Sequence, residues 1–324
     1  MSNKVYACIK LTRNIKGYPF CERMNDAQKK EVRDKIKTAF FDAYKDGWEY
    51  IDMENADRIY SMSLAERRII SGEFLNGRQG RAVILNADKT AAVIINGADH
   101  IKINVMLPGG DIDKALEIAK EIEEKLSSLG YAYSEKLGYL TCGVSDIGTG
   151  MKASFILHLP AITDSGAMGE MLERVDRIGL SLRGIDTENR DNGALYRLTS
   201  RVTLGVTEKD TLNKLTDIAN QIEKREESLL KRISENEGIL LEDKIMRAYG
   251  TLKYAKVISS REAPSLYSLV RTGMECGIIE DDPTALDGAY FTCRPATLAI
   301  ECGENNSSAQ RDRLRAGKLK ASLK

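Results

Sequence analysis

The sequence predicts an α+β protein with an antiparallel sheet, followed by a C-terminal helical domain. Three observations predict it. "RAVILNADKTAAVIINGADHIKINVML", residues 81–107, reads as a meander of strands with turns at Asn86-Ala87-Asp88 and Asn96-Gly97. Helical periodicity falls in separate blocks and does not alternate with each strand, which favours antiparallel pairing. From residue 207 the pattern becomes wholly helical, which divides the chain into 1–206 and 207–324.

The elements follow in order. Asn96-Gly97 between apolar runs is a hairpin signal, because both residues tolerate positive φ. Pro108-Gly109-Gly110 stops the meander. "DIDKALEIAKEIEEKLSSLG" then sets Ile112, Leu116, Ala119, Ile122 and Leu126 on one helical face, with Gly130 as its end. "GYLTCGVSDIGTG" reads as a strand and a glycine loop, and "GMKASFILHLPAI" as an apolar run. A polar loop at 186–193 sits between strand-like segments. "TEKDTLNKLTDIANQIEKREESLLKRISENEG" is a long amphipathic helix, with Thr207 and Asp210 as a variant capping box. Further helices follow. The last 24 residues are polar and basic, a composition that favours a frayed end.

Composition narrows the function classes. The 324 residues carry 48 Lys+Arg against 48 Asp+Glu, so zero net charge argues against a general nucleic-acid binder. No run nears 18 apolar residues, and "MSNKVYACIK" has no apolar secretion core; a cytoplasmic protein is expected. Six scattered cysteines without a CxxC, and only two histidines, make a metal site unexpected.

Some clusters carry possible chemistry. Asp99, His100 and Lys102 follow the Asn-Gly turn directly. Gly148-Thr149-Gly150 with Lys152 has the makings of a phosphate cradle, although such a loop is more often a plain turn, and it is no Walker motif. His158 in an apolar run reads as a satisfied core histidine. Cys142 reads as inert unless positive neighbours lower its pKa. In "RDRLRA", Arg311, Asp312 and Arg315 share helical spacing. Two guanidinium groups suit phosphate oxygens and the carboxylate suits a guanidinium; a solvated charged face is the plainer reading.

"TRNIKGYPF", "ADHIKI", "GYLT…IGTGMKASFILHLPA", "LRGI" and "YRLTSRVTLG", in that order, resemble the phosphagen kinases, the ATP:guanido phosphotransferases. "LEDKIMRAYGTLKYAKVISSREAPSLYSLVRTGMECGII" and the RDxxRA tail resemble the bacterial protein-arginine kinase branch, over nearly the whole chain from about residue 5, without that family's N-terminal lead-in. The resemblance implies a phosphagen-kinase-like catalytic domain that moves the γ-phosphoryl group of ATP, with Mg²⁺, onto a guanidinium. It also implies a fan of arginines around the phosphates and a glutamate base. The family's Asn-Glu-Glu-Asp-His is here Asn96-Gly97-Ala98-Asp99-His100, so the base position is Ala98. The possible substitutes are Asp99, Glu188 and Asp191. Phosphate-binding arginine positions fall on Cys8, Lys10, Lys102 and Lys152, and only Arg183 still matches. The family's reactive cysteine aligns with Gly143, one residue after Cys142. Lysine keeps the charge but not the bidentate fork. The RDxxRA motif matches the family's phosphoarginine-binding pattern at Arg311, Asp312, Arg315 and Ala316.

The expected reading is a pseudokinase that binds phosphoarginine-bearing or arginine-rich proteins, or that regulates an active kinase paralogue. The alternative is an active protein-arginine phosphotransferase. The resemblance also implies homo- or hetero-oligomers and contact with Clp protease machinery, with no nucleic acid or membrane partner.

Overall fold

A computed structural model describes residues 2–185, 193–303 and 306–324. Eight strands form one sheet. In chain order they are β1 (Lys4–Arg13), β2 (Trp48–Asp52), β3 (Ala82–Asn86), β4 (Ala91–Ile95), β5 (Ile101–Pro108), β8 (Met151–His158), β9 (Leu180–Gly184) and β10 (Leu195–Ser200). Their spatial order is β2-β3-β4-β5-β1-β8-β10-β9, and every pairing is antiparallel. A two-stranded ribbon, β6 (Tyr133–Ser134) and β7 (Gly138–Tyr139), stands apart. The expected α+β class with an antiparallel sheet is therefore what the chain adopts.

Successive strand residues face opposite sides, so alternation in sequence becomes a two-faced sheet. Ile9, Leu11, Ile103, Val105, Ala153 and Phe155 look to one side. There they meet Val32, Ile36 and Phe40 of α1 (Asp26–Ala43) and Ile112, Ala119 and Ile122 of α3 (Ile112–Lys125). The other face is covered only at its ends. Near β3 and β4, Val83 and Ile94 pack on Leu64 of α2 (Arg58–Glu66) and on Phe74. Past the short α4 (Pro160–Asp164) and α5 (Met168–Arg177), Ile156 and Leu195 pack on the C-terminal helices. The middle of this face carries charge.

Thr207 caps the long helix α6 (Glu208–Tyr254) by accepting from the Asp210 N–H at 3.0 Å. The helix kinks at Glu237, beside Gly238. Before the kink, Leu212, Leu215, Ala219 and Ile222 pack in the sheet core. After it, Ile245, Ala248 and Leu252 join α7 (Ala263–Glu275) and α8 (Pro283–Thr292) in a second core, while α9 (Pro295–Cys302) packs against α2. The tail departs from expectation. Its composition favours fraying, yet it forms α10 (Ser308–Ala321), opened by a Ser307–Gln310 capping box and buried at Arg315, Ala316 and Leu319. One apolar stripe and one good cap outweigh a polar composition once there is a surface to dock on. No helix among the described residues is long and apolar enough to cross a membrane.

Candidate functional site

The register of the strands collects the predicted cations. Lys10 lies directly opposite Asn104 on β5 and Lys152 on β8, and Lys102 lies opposite Thr12. Directly paired residues share a face, so Lys10, Lys102 and Lys152 stand together on the uncovered middle of the sheet. Arg197 pairs with Ile156 and with Arg183, which continues the row toward the β9 edge.

A cavity of about 280 Å³ opens over this face, and Lys10, Lys102, Ala98, Asp99, Glu22 and Glu73 help to line it. Burial, then the charges of Arg197 and Lys102, pushes the Lys10 pKa down to about 8. The Nε of Arg197 is buried with no hydrogen-bond partner among the described residues. The four candidate cations are not equivalent. Lys152 is paired with Asp146. Arg183 is exposed on β9 and lines a separate groove with Glu173, Asp176 and Arg177 of α5. Sequence reasoning missed Arg197 and Arg68. Arg197 is visible only through strand pairing. Arg68 comes from the turn after α2, where its Nη2 donates to the Ile185 carbonyl at 2.6 Å.

The loop before β5 differs from the expected tight hairpin. Ile95 pairs with Ile101, so five residues, not two, make the connection. Only Asn96 takes a left-handed φ, at 57°. Its side-chain amide donates to the carbonyls of Lys29 and Gly80 at 2.8 and 2.7 Å. Those tertiary bonds, rather than an Asn-Gly turn, set the loop.

His100 is fully buried. Its Nδ1 accepts from the Ile15 N–H at 3.0 Å, and its Nε2 donates to the Pro19 carbonyl at 2.8 Å. That pattern requires the neutral ring, and burial pushes its pKa below the ordinary histidine value. Asp99 Oδ1 accepts from Asn14 Nδ2 and from the Cys142 N–H, both at 2.7 Å. Asp99 and His100 thus hold the loop against Asn14 and Ile15. Glu188 and Asp191, the other candidate carboxylates, lie outside the described residues. The side chain at 98 is a methyl.

The glycine loop is packed, not open. A Cβ on Gly148 would meet the Thr203 carbonyl oxygen at 2.1 Å, and the φ there is 113°. The Thr149 N–H donates to Thr203, and the Thr149 carbonyl accepts from Arg13. Arg13 is itself buried, paired with Glu123 at 2.5 Å and laid over the Tyr139 ring. Cys142 has no activating environment: partial burial, Glu22 and Asp99 all raise its pKa. His158 is the satisfied core histidine expected, with Ser268 Oγ at 2.9 Å from Nε2 and Glu275 beside Nδ1. Among the described residues no cluster of His, Cys, Asp or Glu is placed to hold a metal ion.

Helix α10 does bring its motif together. Asp312 pairs with Arg315 at 2.5 Å. Arg315 also donates to the carbonyls of Cys293 and Ile258 at 3.1 and 2.8 Å, and the Ile258 N–H donates back to the Asp312 carbonyl. Arg311, on the same helical face, bonds Asn306 and keeps part of its guanidinium toward solvent; Ala316 is buried beneath.

Two family profiles divide the chain at the kink in α6. "ATP:guanido phosphotransferase, C-terminal catalytic domain" matches residues 31–229, and "Protein-arginine kinase McsB C-terminal domain" matches residues 238–324. The chain belongs to the protein-arginine kinase family. Curated relatives agree. Proteins named protein-arginine kinase from Syntrophomonas wolfei and Brevibacillus brevis are 35% and 33% identical, over 97% and 98% of this chain and 90% of each relative. Among solved structures, the duplicated taurocyamine kinase of Schistosoma mansoni matches with a TM-score of 0.64 at 21% identity, over 75% of this chain and 36% of that one. Lombricine kinase matches with a TM-score of 0.62 at 20% identity, over 70% of this chain and 66% of that one. At that identity the likeness concerns the fold, which is the phosphagen-kinase fold.

Proposed function

We propose that this member of the protein-arginine kinase family is impaired in phosphoryl transfer and acts by binding phosphoarginine-bearing proteins. The observation that carries the reading is the methyl group of Ala98 at the position where the family places its base, in a loop whose neighbouring carboxylate, Asp99, already accepts two hydrogen bonds. Loss of a general base costs about 10²–10⁴-fold in rate. Loss of one charge-stabilising donor costs about 10²–10³-fold, and here lysines stand where arginine forks are expected.

The cation set fits a polyanion. Lys10, Lys102 and Arg197 would face the phosphates of ATP, the nucleotide of this ATP-dependent family. Magnesium fits as a companion of those phosphate oxygens rather than as a metal held by a protein cluster. Bound ATP would supply the transferable phosphoryl group; these residues would orient and neutralise it. Helix α10 supports the binding half of the reading, because Arg311 and Asp312 present opposite charges at adjacent positions, with Arg315, one turn after Arg311, holding Asp312 in place.

The test is incorporation of label from γ-labelled ATP with Mg²⁺ into an arginine-rich protein, read as acid-labile phosphate, beside an Ala98→Glu variant. We expect the unaltered protein to be at least 100-fold below a protein-arginine kinase from the relatives, and Ala98→Glu to gain activity. Turnover at the relatives' level would establish the second reading, an active phosphotransferase. Its support is the kinase name borne by relatives that match along 90% of their length.

A further inference from the structure

The sheet has two edges, and they are not alike. At β2, side chains of α1 reach across the edge: Arg33 lies 3.6 Å from Asp52, and Lys37 stands over the Tyr50 ring at 4.1 Å. Charge placed in this way discourages edge-to-edge pairing. At β9 the edge is bare. The strand pairs with β10 on one side only. The Ile185 N–H donates to the Leu195 carbonyl, and the Arg201 N–H donates to the Gly179 carbonyl, so the odd-numbered residues turn their backbone groups toward β10. By the alternation of an antiparallel ladder, the N–H and C=O groups of Leu180, Leu182 and Gly184 turn outward. None of these is hydrogen-bonded among the described residues. A groove of about 390 Å³ lies between Ser181 and Arg183 of this strand and Glu173, Asp176 and Arg177 of α5. Arg183 is exposed and makes no ion pair among the described residues.

We propose that the β9 edge is an interface with a second copy of this chain, formed by antiparallel pairing of β9 with its own copy about Leu182. The register follows from the outward groups. With Leu182 opposite Leu182 of the copy, Leu180 falls opposite Gly184, and the outward N–H groups meet outward carbonyls in about six hydrogen bonds. The outward set is symmetric about Leu182, which is what a two-fold interface requires. A stable dimer buries on the order of 1,200–2,000 Å², more than a five-residue edge offers. Helix α5 supplies the rest. The two-fold sets it against its copy in the opposite direction, so that Glu173 of each meets Arg177 of the other; within one chain these two exposed side chains pair loosely, at 3.4 Å. Charge selects the occupant. The groove holds two acids, Glu173 and Asp176, and two bases, Arg177 and Arg183, so it complements itself, whereas a strongly acidic or basic segment would meet like charge. A lone extended peptide would satisfy the backbone and leave the α5 charges without new partners. A two-fold axis normal to the sheet also keeps the cationic faces of both copies on one side of the joined sheet. The interface stands whether or not phosphoryl transfer survives.

The test is disulfide trapping in the full chain, together with sedimentation. In this register Ser181 of one copy lies opposite Arg183 of the other as a non-hydrogen-bonded pair, about 4.5 Å apart at Cα, a spacing that a disulfide accepts. Neither residue lies opposite itself. The Ser181→Cys and Arg183→Cys proteins, each alone, are therefore expected to form no more covalent dimer under mild oxidation than the parent does, and their mixture is expected to form it readily. The parent should sediment as a reversible dimer over a dilution series. Glu173→Arg should weaken that dimer by about 10-fold, because the reversed charge meets Arg177 twice across the axis. Adding Arg177→Glu should restore it. The proposal is overturned if the parent is monomeric at every concentration, or if the mixture traps no more than either variant alone. A parent dimer that Glu173→Arg leaves unchanged would place the interface elsewhere and overturn it as well.

Discussion

At the scale of single residues, a cluster that looks catalytic in the sequence is a set of fastenings in the structure. His100 spans from Ile15 to Pro19, and its ring is neutral because one nitrogen must accept while the other donates. Replacing it by alanine removes both bonds and leaves a buried N–H without an acceptor, which should cost about 2–4 kcal/mol of stability. Denaturant melts would measure this; a cost below 1 kcal/mol would deny the ring its fastening role. Lys10 works the other way. Its folded pKa, about 8, is below the unfolded value of a lysine, so between those two the unfolded chain binds more protons. Its burial therefore penalises the fold below pH 8, and stability recovers as pH rises through 8 toward the unfolded pKa. Lys10→Met should be more stable than the parent at pH 7 and should lack that alkaline rise. Comparing melting temperatures at pH 7 and pH 9.5 would decide it.

At the scale of elements, two carboxylates from one part of the molecule cap helices of another. Glu66, at the end of α2, accepts from the Ala296 and Thr297 N–H groups at the start of α9, at 2.9 and 3.0 Å. Glu226 of α6 accepts from the Ala161 and Ile162 N–H groups at the start of α4, at 2.6 and 2.9 Å. A helix start leaves N–H groups unpaired, and these distant carboxylates do the work of local capping residues. Glu66→Ala should cost about 1–2 kcal/mol in denaturant unfolding. Glu226 is different because it is buried. Burial pushes its pKa up to about 7, against the pull of the two N–H donors. Above its unfolded pKa and below 7, the folded chain binds the extra proton, so stability falls as pH rises across that window. Glu226→Gln should flatten this slope between pH 5 and pH 7, and an unchanged slope would show that another group carries it.

At the scale of the whole molecule, α6 couples two cores. Its first half completes the sheet core and its second half belongs to the helical one, with the kink at Glu237 between them. The interface carries a buried polar set: Arg271 reaches Asp287 at 2.9 Å and also pairs with Glu275, which lies beside His158 of β8. Removing one member of such a set strands the others, so Arg271→Ala should cost about 3–5 kcal/mol. Loss of the helical domain's cooperative melt, with the sheet retained, would be the signature. Arg315 belongs with this group as much as with any ligand site, since it ties α10 to the carbonyls of Cys293 and Ile258. Arg315→Ala is thus expected to destabilise as well as to weaken binding, whereas Asp312→Ala, at a half-exposed position, separates the two effects.

The sequence by itself determined the class of the fold, the helix periodicities of α3 and α6, the turn at Asn86 and the family, because period, caps and ordered motifs are local and survive without a partner surface. It also identified Ala98, Lys10, Lys102 and Lys152 as departures from a family pattern, since substitution is legible residue by residue. Only the tertiary structure decided what those departures mean. Strand register set Lys10, Lys102 and Lys152 on one face with Arg197, distant turns brought Glu22 and Glu73 to the same cavity, and Arg183, although directly opposite Arg197, lines another groove beside α5. It turned the Asn-Gly hairpin into a five-residue loop through bonds to Lys29 and Gly80, and the basic tail into a docked helix. The physical reason is common to all of these. Local propensity is worth tenths of a kcal/mol to about one per residue, while pairing, burial and long-range hydrogen bonds act together across the sheet and outweigh it wherever the two disagree.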